Sequence, residues 1–187
     1  MEIRSDIVLK GTIWRKTFEK FQYFWPQSSQ PIYNLYALSI TIGIMYDLQI
    51  DVLDVENDYD QPLNVPRTVL QPHNSDLDFM FQTAILTSKL VNYSDQERLK
   101  LAFDTKCDIA FNRFEFLTKF ANFGVTKLLE ISCDEPVEMM ENLKKFMASS
   151  VEGYNYEINE IPDEDVELDS LEEEDLEDLI NQFSKLQ

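Results

Sequence analysis

Four carboxylates at alternate positions, Asp54, Glu56, Asp58 and Asp60 in "DVLDVENDYDQP", come nearest to metal chemistry in this chain of 187 residues. A calcium loop of the EF-hand kind needs glycine at its sixth place for the turn and a bidentate glutamate at its twelfth. Those places hold Tyr59 and Val65, so the stretch reads as a solvated acidic loop and no metal ligand is assigned. His73 is the sole histidine, between Pro72 and Asn74, and reads as an exposed loop residue. Cys107 and Cys133 are the only cysteines, with no CxxC pair, and read as buried apolar residues. Zinc sites and Cys-His or Ser-His-Asp nucleophile systems find no motif here. Four glycines (Gly11, Gly43, Gly124, Gly153) leave no phosphate-cradling loop. The expectation is no catalytic residue, no metal and no cofactor.

Charge is the stronger signal. Of a net charge of −19, residues 134–187 carry 18 Asp and Glu against Lys144, Lys145 and Lys185, a balance of −15. The remaining residues come to only −4. An acidic surface repels phosphate backbones, whose neutralisation drives most nucleic-acid binding. Direct nucleic-acid binding is therefore disfavoured. The N-terminus has mixed charges and no signal-peptide core, and the run "LYALSITIGIMY" at 35–46 is shorter than the roughly 20 residues of a membrane span. The expected protein is soluble and cytoplasmic, without membrane contact.

The elements follow from apolar periodicity. "IRSDIVL" at 3–9 is an extended arm or short strand. A helix is expected over 12–25, with Ile13, Trp14, Thr17, Phe18, Phe21 and Phe24 at steps of three and four. Residues 32–48 are apolar on most sides, as in a central helix, and Gly43 there suits close approach of a neighbour. Residues 49–75 read as a loop with Pro62, Pro66 and Pro72. A helix capped by Ser75 or Asp76 then carries Leu77, Met80, Phe81, Ala84, Ile85 and Leu90 inward. Ser94 and Glu97 form a capping-box pattern for a short helix to Phe103. A long helix follows in "CDIAFNRFEFLTKFANFGVTKLLEIS", bent near Gly124, and another opens at Pro136 and ends near Met147. The rows Phe18, Phe21, Phe24 and Phe111, Phe114, Phe120 read as core packing rather than base-stacking platforms. The fold class is mostly α, a single compact helical domain with a possible short N-terminal strand. Its parts are a helical domain at 1–148, a linker at 149–168 and an acidic amphipathic helix at 169–187.

That last helix, "LEEEDLEDLINQFSKLQ", has Leu176, Leu179, Ile180, Phe183 and Leu186 on one stripe, with Leu171 extending it. A purely solvating tail has no use for such a stripe. Its carboxylates crowd the N-terminal half and Lys185 lies near the end, as the helix dipole favours. These five residues are the candidate partner-binding site. The partner is a protein with an apolar groove or a basic rim, and folding back onto its own chain is the competing account.

Read together, "IYNLYALSITIGIMYD", "PLNVPRTVL", "DLDFMFQTAILTSKLVNYSDQERLKLAF" and "EFLTKFANFGVTKLLE" resemble small accessory proteins of bacterial Dnd (DNA phosphorothioation) systems and related anti-phage defence islands. The resemblance spans about residues 30–130. Phe120, Ala121, Asn122, Phe123 and Gly124 stand where that family has a "YANGG"-like motif, with Phe123 replacing a glycine. It implies a non-catalytic accessory subunit that docks a nuclease, ATPase or helicase. It transfers no active-site residue. An acidic DNA mimic, possibly phage-encoded, that inhibits a nucleic-acid enzyme is the alternative. A ribbon-helix-helix DNA binder, with Arg4 and Ser5 as base readers, is the third.

Overall fold

The computed structural model describes residue 3 and residues 5–25, 28–55, 62–104 and 108–153, apart from the side chains of 147 and 149–153. The chain divides into two units, Met1–Phe146 and Met147–Gln187. The first holds almost everything described. The helices and strands of the described residues are β1 (Ile7–Leu9), α1 (Thr12–Phe21), α2 (Pro31–Tyr46), β2 (Leu63–Val65), α3 (Arg67–Leu70), α4 (Asn74–Thr87), α5 (Asp95–Phe103), α6 (Arg113–Ile131) and α7 (Pro136–Gly153), the last of which continues past Phe146 into the second unit. The fold is mostly helical, with one small sheet.

α2 is the central helix, and Thr41 alone on it is exposed. Leu35, Tyr36 and Ile40 of α2 and Leu117, Phe120 and Val125 of α6 are all fully buried in one core. The two helices meet backbone to backbone. A Cβ added at Gly43 would overlap the carbonyl of Phe120, and one at Gly124 would overlap the carbonyl of Ser39. Ser39 and Gly43 are one turn apart, as are Phe120 and Gly124, so the crossing carries a glycine on each side. The Ser39 hydroxyl donates back to the Leu35 carbonyl at 2.8 Å, which leaves no polar atom stranded at the seam. α6 runs unbroken through Gly124. At Gly124 the backbone of Ser39 comes so close that a side chain has no room.

Local signals set most helix ends. Pro31 begins α2, where a missing N–H costs nothing, and Asp47 ends it in the left-handed conformation. Ser94 and Glu97 complete their capping box on α5, and the Asn112 side chain caps α6 at the Glu115 N–H. The long helix therefore starts at Arg113, later than the apolar residues of "CDIAF" suggest. α4 stops at Thr87, so Leu90, expected on its inner face, lies beyond it and is half exposed. α7 continues past Met147 through Gly153, so its last residues occupy the start of the expected linker. Residues 154–187 lie outside the described residues.

The proline-rich loop contains structure that its composition hides. Residues 63–65 pair antiparallel with β1, Ile7 opposite Val65 and Leu9 opposite Leu63, and the Asp6 carboxylate accepts the Arg67 N–H at 2.7 Å. A three-residue strand is too short to display a period of two, and α3 is a single turn. The aromatic rows do pack inward. Phe21 and Phe120 are buried, and Phe81 of α4, Phe111, and Phe116 and Phe120 of α6 form successive ring contacts of 5.6, 5.2 and 5.1 Å.

Gly43→Ala or Gly124→Ala should destabilise the protein by about 3 kcal/mol in urea titration, because a methyl group meets backbone that cannot move aside. An alanine gains about 1 kcal/mol of helix propensity over glycine. Net stabilisation by either change would show that the helices can separate without loss.

Candidate functional site

A groove on the first unit has a volume of about 1130 Å³. One wall is residues 5–8, leading into β1; the second is Asp51 and Val52; the third is residues 110–119 at the start of α6. A buried polar node holds these walls in place. Asn122 accepts from the Trp14 indole N–H at 3.0 Å and donates to the Ile50 carbonyl at 3.1 Å, tying α1 and α6 to the segment after α2. The Ile50 N–H in turn donates to the Lys119 carbonyl at 3.0 Å. The carboxylate of Asp51 is thereby set beside Lys119.

Charge around the groove is mostly negative. Lys119 Nζ lies 2.9 Å from Asp51 and 4.0 Å from Glu115. The hydrogen bond to Asp51 holds the Lys119 pKa above its ordinary value, against the opposing effect of its own desolvation. Arg113 also reaches the groove, but its guanidinium donates to the Leu101 carbonyl at 2.8 Å, approaches Asp78 at 3.3 Å and lies 4.6 Å over the Phe81 ring. Asp51 and Glu115 thus share the Lys119 ammonium, while the Asp6 carboxylate accepts the Arg67 N–H. Such a lining suits a cationic ligand and repels phosphate.

A second surface is apolar. Phe79 and Leu86 are two turns apart on α4, and Leu99 and Phe103 one turn apart on α5, all turned away from the core. Phe79 is 69% exposed, Phe103 61% and Leu99 52%. The two helices form a hairpin in which Gln82 donates to the Ala102 carbonyl at 3.2 Å. Arg98 fixes its turn, donating to the carbonyls of Ser88 and Val91 at 2.7 Å each and of Tyr93 at 3.1 Å. A rigid hairpin therefore holds these side chains in water.

His73 is more than an exposed loop residue. Its ring stacks on Tyr33 at 4.1 Å, Nε2 contacts the Gln30 amide oxygen at 2.7 Å, and Nδ1 contacts Asp76 at 3.3 Å. Burial first, and the Asp76 charge second, push the Tyr33 hydroxyl up to about 12. These contacts join the N-terminal ends of α2 and α4 and act as a structural tie. Sequence could not show this, because Tyr33 and His73 are neighbours only through the tertiary fold. Cys133 is partly buried rather than sealed in the core, and Cys107 lies outside the described residues.

The proposed partner-binding residues Leu176, Leu179, Ile180, Phe183 and Leu186 lie outside the described residues, as do Glu56, Asp58, Asp60 and Arg4. Among the described residues no cluster of His, Cys, Asp and Glu is arranged to hold a metal ion, and no helix is long and apolar enough to cross a membrane. β1 pairs with β2 of its own chain, and Ile7 and Leu9 are buried. A ribbon-helix-helix protein instead pairs that strand between protomers and lays it in the DNA groove.

Asp51→Asn should lower the Lys119 pKa, measured by side-chain NMR titration. The folded pKa lies above the ordinary one, so the pair's stabilisation is fully present at neutral pH and fades only as pH rises through the Lys119 titration. An unchanged pKa would assign the effect to Glu115. Asn122→Ala should destabilise by about 1–3 kcal/mol, because the buried Trp14 N–H loses its acceptor.

No family model matches this chain, and neither does any curated protein or solved structure.

Proposed function

We propose that this chain is a non-catalytic interaction subunit that docks a nuclease, ATPase or helicase partner within a bacterial anti-phage defence complex. The observation that supports the reading as an interaction subunit is the exposure of four large apolar side chains, Phe79 and Leu86 on α4 and Leu99 and Phe103 on α5. Exposed aromatic side chains on rigid elements lose little conformational entropy on binding, and each Leu or Phe fully buried contributes roughly 1.5–3 kcal/mol before ordering costs. The terminal stripe from Leu176 to Leu186 gives the same reading a second apolar anchor, with carboxylates around it for a basic rim. The defence setting rests on the sequence resemblance over residues 30–130.

A DNA mimic is the second reading, favoured by the 18 carboxylates of residues 134–187. The two differ in salt dependence. An anchor of apolar residues keeps its affinity as salt rises, whereas a mimic weakens steeply because each of many charge pairs is screened.

Partner capture from the native host, identified by mass spectrometry, tests the proposal with two double variants. Phe79→Ser with Phe103→Ser and Leu179→Asp with Phe183→Asp should each reduce recovery of the same partner, with the melting temperature nearly unchanged. Equal recovery by both variants would remove the proposal. A large fall in melting temperature with Leu179→Asp and Phe183→Asp would instead assign the terminal helix to the protein's own core. Turnover of nucleotide, DNA or RNA that disappears with Asp54→Ala or Asp58→Ala would show catalysis and overturn the non-catalytic reading.

A further inference from the structure

We infer that the groove beside β1 receives an extended peptide of alternating apolar and basic residues, which adds a third strand to the sheet. The inference names a second partner contact for an interaction subunit and uses residues distinct from the exposed row of α4 and α5.

An antiparallel pair turns half of each strand's backbone N–H and C=O groups away from its neighbour. β1 is paired on one side by β2, and none of its outward backbone groups bonds another described residue. An unpaired edge of this kind is a ready template for another strand. Bordering residues 5–8, the edge meets the groove, and the Val8 side chain is 45% exposed beside it. The groove also exceeds the roughly 300–1,000 Å³ usual for small-molecule pockets, and it is an open trough rather than an enclosed cavity. Those dimensions fit a length of chain. Main-chain hydrogen bonds would supply affinity and the alternate side chains selectivity.

Charge decides the occupant. Three carboxylates, Asp6, Asp51 and Glu115, line the trough against two cations: Lys119, which lies between the last two acids, and Arg113, whose guanidinium is held by Asp78 and the Leu101 carbonyl, so the lining is net negative by one charge. A nucleic acid would bring phosphates to carboxylates. A second copy of this chain, paired edge to edge, would bring Asp6, Asp51 and Glu115 against the same residues. A strand with Lys or Arg on one face meets the carboxylates. Its apolar face meets Val8, Val52 and Phe114.

The probe is a fluorescein-labelled decapeptide of alternating valine and lysine, titrated against the full chain by fluorescence anisotropy at physiological salt. Two control peptides replace every lysine by glutamate, or carry N-methyl groups on alternate backbone nitrogens so that one edge cannot donate. The valine-lysine peptide should bind about tenfold tighter than either control. Asp51→Asn with Glu115→Gln should weaken it about fivefold or more. Glu130→Gln, a control carboxylate change on α6, should leave it unchanged. Val8→Pro, which removes a backbone donor from the edge, should also weaken it, with the circular dichroism spectrum retained. Equal affinity for the N-methylated peptide would overturn strand addition. Undiminished affinity in the Asp51→Asn, Glu115→Gln variant would place the peptide on other acidic residues and overturn the site. Absence of saturable binding would overturn the inference while leaving capture through Phe79 and Phe103 untouched.

Discussion

Everything described in the first unit hangs on the distance between α2 and α6. Two helices normally keep their axes 8–10 Å apart because side chains fill the space between them. Here Gly43 and Gly124 remove those side chains at reciprocal positions, and each backbone settles against the other. Dispersion contacts at such a seam are individually small but numerous, and they vanish steeply with separation. The seam also explains why α2 is apolar on nearly every side. Covered by α6 on one flank and by α1, α4 and β2 on others, it has almost no face left for water.

Around that seam one apolar core reaches into α1, the sheet, α4 and α5, and polar ties fix particular segments within it. Asn122 of α6 holds the Trp14 indole and the Ile50 carbonyl, so one buried amide sets both α1 and the segment carrying Asp51. Tyr36, buried against α6, keeps its hydroxyl bonded to Thr118 at 3.1 Å, and burial pushes its pKa upward. Each of these groups would be costly to bury alone, and each is satisfied by a partner from a distant part of the sequence. The Asp51 wall of the groove is therefore tied directly to the buried core. Arg98 does the equivalent for the α4–α5 turn, where three carbonyls converge on one guanidinium.

Sequence alone determined the helical class and most of the helices, because their signals are local. The capping box at Ser94 and Glu97, Pro31 and Pro136 at first turns, and the apolar spacing of α1, α2, α4 and α6 all act within a few residues. Gly43 could likewise be read as a close-approach residue, since a glycine inside an apolar helix has few other uses. What approaches it was not legible, and neither was the equal role of Gly124, which looked like a bend. Only tertiary structure decided that residues 63–65 form a strand, because a three-residue ladder is stabilised by its pairing with β1 and not by any propensity of its own. The same holds for the stack of His73 on Tyr33 and for the groove that brings Asp6, Asp51 and Glu115 together. Those groups are far apart along the chain, and closing the loops between them is repaid only when the core forms.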